Sequence, residues 1–128
     1  MRKDARTNAF KLIFEGLFHE CDEKLSIEAL EQLKKDEDIK FFDEIMLAFN
    51  QNKDELKKNI EENLKNFEYD RLFKIDLAII YLALTEIKFC GTPKAVAINE
   101  ALEIAKVYST EKSHKFINGL ISAIINEK

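Results

Sequence analysis

The sequence is poor in the residues that punctuate a chain, with no tryptophan, one proline (Pro93), three glycines and two cysteines among 128 residues. So little Gly and Pro argues against a hairpin-rich β fold, whose turns need special φ values at short intervals. Cys21 and Cys90 lie far apart with no CxxC and no nearby histidine pair, so they match neither a disulfide framework nor a zinc site. The two histidines, His19 and His114, belong to no HExxH or HD pairing, and no glycine-rich loop precedes a helix. Neither catalysis nor a cofactor is therefore expected. The longest strongly apolar stretch, residues 77–84, falls far short of the roughly 20 residues that cross a bilayer. The N-terminus has no signal-peptide apolar run, and the expected location is the cytoplasm, without membrane contact.

What remains is a charged and apolar mixture of the length of one domain. Charged residues make up 34% and apolar ones 46%. A chain this long buries roughly two-thirds of its unfolded surface, enough for one core without staples. The net charge of −4 argues against a uniformly basic nucleic-acid binder, but the charge is unevenly placed. Residues 1–18 carry +2, residues 19–70 carry −8 and residues 71–128 carry +2, so the two ends are able to form a basic face on an acidic body. The carboxylates lie on polar helical faces, where solvated charge explains them better than acid–base chemistry does.

Apolar periodicity gives an all-α reading throughout. Ala5, Ala9, Leu12, Ile13 and Gly16 recur at helical spacing, predicting a first helix from Asp4 to about residue 20. On its other side Phe10, Phe14 and Phe18 form a second stripe, open to burial or to a partner. Ser26 is placed to cap a short helix carrying Ile27, Leu30 and Leu33. Phe42, Ile45, Met46 and Phe49 mark a third helix, and Leu56, Ile60, Leu64 and Phe67 a fourth or its continuation. Residues 75–89 are apolar nearly all round, as befits a central helix, and Gly91 and Pro93 end it. Two further helices are expected over residues 94–108 and 113–126, the last with Phe116 on the same stripe as Leu120 and Ile124. Gly119, inside that helix, suggests close approach by another helix or by RNA.

Arg2 and Arg6 stand one turn apart, and Lys3 and Lys11 two turns apart, a spacing suited to tracking phosphates but also found in ordinary solvated helix starts. The C-terminal quarter is more specific. Residues 93–120, PKAVAINEALEIAKVYSTEKSHKFINGL, closely resemble the C-terminal signature of the NusB family, in which an AINEA-type helix leads through a short loop to SHKF and NG. LFKIDLAIIYLALTEI resembles that family's buried central helix, and RKDARTNAFKLIFEGLF its arginine-rich opening helix. Residues 20–70 match only in helical character.

The resemblance implies a single domain over residues 1–128, built as two packed helical bundles of about seven helices. It implies a transcription antitermination factor that is not an enzyme. Such a factor binds single-stranded boxA-type RNA together with NusE, a small-subunit ribosomal protein, and acts with other Nus factors and RNA polymerase to suppress termination, notably in ribosomal RNA transcription. The family's arginine-rich motif maps onto Arg2, Lys3, Arg6 and Lys11; with Lys3 and Asp4 inside it, weaker RNA affinity is expected. The second RNA-contacting region maps onto Lys112, Ser113, Lys115 and Phe116, with Phe116 open between core packing and base stacking. The partner surface maps onto Phe14 and Asp76, both expected to be at least partly exposed. The family includes monomers and homodimers. Two other readings stand beside this one: a helical protein-interaction module, and a stand-alone relative of the NusB-like domain of ribosomal RNA cytosine methyltransferases. No Rossmann-like region or cofactor loop supports methyl transfer by these residues.

Overall fold

The computed structural model describes residues 2–17, 36–65 and 68–126. The expectations for Phe18, Cys21, the Ser26-capped helix and Phe67 lie outside the described residues. Those residues form five α-helices and one 3-10 turn: α1 (Arg2–Gly16), α2 (Asp36–Glu62), the turn Tyr69–Arg71, α3 (Lys74–Phe89), α4 (Lys94–Tyr108) and α5 (Glu111–Asn126). The described residues contain no strand.

About seven helices are expected of the whole chain; among the described residues there are five, and two of the predicted ones are fused. The third and fourth predicted helices run together as α2, interrupted at Asn52, whose φ of −122° and ψ of 15° leave the helical region. The Asn52 side-chain amide donates to the Ala48 carbonyl at 2.8 Å, the local side-chain competition that bends helices. On either side of the break the apolar stripe continues through Phe42, Ile45, Phe49, Leu56 and Ile60, all buried.

Helix α3 is the axis. Its residues from Asp76 to Glu86 are all buried, because helices surround it on every side. Fully burying a Leu or Ile side chain contributes about 1.5–3 kcal/mol, and Leu77, Ile79, Ile80, Leu82 and Leu84 are all at most 1% exposed. The helix stops where Gly91 takes φ +72°, in the left-handed region that favours glycine. That turn lets the Glu86 carbonyl accept from both the Cys90 and Thr92 N–H groups, each at 3.1 Å. Pro93 then precedes the first turn of α4.

Around this axis α1, α2 and α3 pack as one bundle and α3, α4 and α5 as a second, with α3 shared. A continuous buried cluster runs through both. Helix α1 packs on α2 and α3, whereas α5 packs chiefly on α3 and α4. None of the described helices is long and apolar enough to cross a membrane.

Candidate nucleic-acid interface

Helix α1 buries Ala5, Ala9, Leu12 and Ile13; Lys3 and Lys11 lie off that stripe and are exposed, and Arg2, on the stripe's own side but at the helix start, is exposed as well. At the other end of the chain, Lys112 and Lys115 are exposed on the first turns of α5, opposite its buried Ile117, Leu120 and Ile121. The two cationic elements are joined through the end of α4. Tyr108 meets Phe10 of α1, ring centroids 5.2 Å apart, and Ser109 meets Ser113 of α5.

Arg6, expected to line the same surface as Arg2, is buried instead, only 6% exposed. Its Nε donates to Glu86 Oε1 at 2.8 Å and to Oε2 at 2.9 Å. Thr92 Oγ1 adds a third bond to Oε1 at 3.1 Å. Burial pushes the Glu86 carboxyl above the usual carboxylate range, and Arg6 and Thr92 counter part of that push. The Arg6 guanidinium also lies 5.2 Å from the centre of the Phe41 ring. It is an internal cation that fixes α1 to α3, and its place as a free surface base falls away.

Asp76 is likewise buried, 6% exposed, and the expectation of a partly exposed partner contact is corrected. Its Oδ1 accepts from Ser109 Oγ at 2.5 Å and its Oδ2 from Ser113 Oγ at 2.9 Å. The two serine oxygens stand 2.8 Å apart beside it. Asp76 sits in the first turn of α3, where the helix's partial positive charge favours a carboxylate. It clamps the α4–α5 link and so fixes the start of the helix that displays Lys112 and Lys115.

Phe116 is half-buried against the core and lines an open groove of about 340 Å³ with Leu64, Lys65, Lys115, Gly119 and Ala123. It is therefore both a packing residue and a groove wall. Gly119 is exposed, and a Cβ there would meet nothing within 4 Å among the described residues, so none of the described helices approaches it. On α1, Phe10 is 3% exposed and Phe14 half-buried, their rings 6.5 Å apart. The second aromatic stripe is thus covered at Phe10 and partly open at Phe14.

Sequence reasoning missed Glu86, Thr92, Phe41 and Ser109, and placed Ser113 in the RNA-contacting region and not against Asp76. A signal for Glu86 was available: one acid in the middle of an otherwise apolar run implies a buried partner. Nothing local marked Phe41 or Ser109.

Two three-helix bundles on a shared buried axis, with exposed cations at two helix starts, define an all-helical domain of the described residues. The family model described as the NusB family matches residues 3–126, and the chain belongs to that family. Over 131 residues it is 40% identical to a transcription antitermination protein NusB of Finegoldia magna, with 99% of this chain and 95% of the relative covered. The solved NusB of T. maritima superposes with a TM-score of 0.90 at 29% identity, covering 99% of this chain and 92% of that one. A NusB solved with NusE and double-stranded RNA superposes with a TM-score of 0.89, covering 99% and 97%; at 24% identity that likeness speaks for the fold alone.

Proposed function

We propose that this protein is a non-catalytic transcription antitermination factor. It works in the cytoplasm, where it binds boxA-type single-stranded RNA together with a NusE-type ribosomal protein. With other Nus factors it helps RNA polymerase read through terminators, notably in ribosomal RNA transcription. The observation that carries the reading is the family match over residues 3–126, with curated relatives named for antitermination. The exposed cations support it: Arg2, Lys3 and Lys11 from α1 and Lys112 and Lys115 from α5 are available to phosphates, with Phe116 at the neighbouring groove. Arg6 and Asp76 act from beneath, the first by seating α1 and the second by fixing the α4–α5 link. Phe14 remains the partly open apolar contact for the protein partner.

The test is titration of a boxA-like RNA and a scrambled control, with and without a NusE-type protein, over a range of salt. Binding is expected to be weak alone, tighter with the partner and selective for the boxA-like sequence. With roughly three to five phosphates neutralised, the log–log salt slope should be about −2 to −3.5. Equal affinity for the scrambled RNA in the ternary complex removes the specificity claim. Absence of salt-dependent RNA binding leaves a protein-interaction module.

A further inference from the structure

We propose that Phe41 is a positioning residue for RNA, its ring holding the Arg2 guanidinium in place before a single strand arrives. The inference deepens the RNA-binding reading above and rests on it. Phe41 belongs to α2 and is only 3% exposed. The Arg2 guanidinium carbon lies 4.4 Å from the centre of its ring and that of Arg6 lies 5.2 Å from the same centre. Both distances are within the reach of cation–π attraction, in which the negative face of the ring draws a cation.

The two arginines differ in what else holds them. Arg6 is fixed by Glu86, which Thr92 holds in turn, so the ring and this buried cation form a rigid base. Arg2 is exposed, and its ring contact ties it to that base while leaving it open to solvent. A long exposed side chain otherwise samples many rotamers, and ordering it on binding carries about a two- to tenfold penalty in affinity. Phe41 removes part of that penalty. It also favours Arg over Lys at position 2, because a planar guanidinium on a ring is able to stack under a base while its N–H groups reach phosphate, and an ammonium is not.

A double-mutant cycle on the full chain with a boxA-like RNA tests this, using Phe41→Met, Arg2→Ala and the pair. Phe41→Met is expected to weaken RNA binding about two- to tenfold when Arg2 is present and to have no effect in the Arg2→Ala background. The same loss in both backgrounds, or no loss with Arg2 present, overturns the proposal. Arg2→Ala that binds RNA as tightly as the parent also overturns it; persisting salt-dependent binding then leaves the wider RNA reading intact. A second measurement does not rely on Phe41→Met folding. In the unaltered protein, NMR signals of the Arg2 side chain, assigned by their loss in Arg2→Lys, should be shifted by the Phe41 ring current. Unshifted signals overturn the proposal.

Discussion

Arg6 and Glu86, eighty residues apart in the chain, form a two-pronged ion pair in which the arginine Nε reaches both carboxylate oxygens. The side chains are 7% and 1% exposed, so neither charge has water to fall back on. Desolvation cancels much of the attraction of such a pair, and its net contribution is small. Removing one partner is costly, because the other remains as an uncompensated buried charge.

Arg6→Ala should therefore lower unfolding free energy by about 3–5 kcal/mol, read as a fall in the urea midpoint. A loss below about 1 kcal/mol, typical of exposed ion pairs, would show that Arg6 is not the structural cation assigned here. The raised Glu86 pKa adds a pH signature. A carboxyl that holds its proton more tightly when folded contributes stability below its unfolded pKa and loses it as pH rises through the folded value. Glu86→Gln should remove that part of the pH dependence.

Asp76→Ala should cost about 2–4 kcal/mol by stripping Ser109 and Ser113 of their charged acceptor. Asp76→Lys should cost more, since it buries a cation against two hydroxyls. Partner binding by either variant is informative only alongside its melting curve. An Asp76→Lys protein that melts like the parent would contradict the clamp.

Lys3→Ala and Lys115→Ala should leave stability within about 0.5 kcal/mol of the parent, both residues being exposed. Each should weaken RNA binding and make the salt slope shallower by about 0.7 on a single strand. The two helices lie in different bundles, so both effects are expected only with an RNA long enough to pass the α4–α5 link. Lys115→Ala with unchanged affinity on long RNA would confine the site to α1.

Gly119→Ala should stabilise the protein by about 0.5–1 kcal/mol, because the position is exposed within α5 and the added methyl meets none of the described residues. Thermal melting gives the first answer. If RNA uses that open surface, affinity should fall while the melting temperature rises; a drop in stability would mean that packing around α5 is tighter than found here.

Cys90 should resist alkylation near neutral pH. Burial, with Glu44 and Glu86 nearby, pushes its thiol up to about 11, against the pull of Arg2. In a Cys21→Ser background, the iodoacetamide rate should climb about tenfold per pH unit to near pH 10. A rate that levels off near pH 8.5 would point to an ordinary exposed thiol.

Local sequence determined the helices and the character of each face. A period near 3.6 residues fixes which side chains share a side, so the stripes of α1, α2 and α5 and the α3 run apolar on nearly every side were legible, as was the stop at Gly91 and Pro93. The family resemblance was legible at both ends, where SHKF and the arginine-bearing start stand in contiguous residues. Only the tertiary structure decided between Arg2 and Arg6, which share a helix and a residue type one turn apart; one meets Glu86 beneath Phe41 and the other stays exposed. It also decided that Asp76 is a clamp and not a surface acid, because Ser109 and Ser113 arrive from more than thirty residues away. Periodicity gives an angle about one helix axis. Burial of a polar group depends on what a distant segment brings to it, and that is set only when the helices pack.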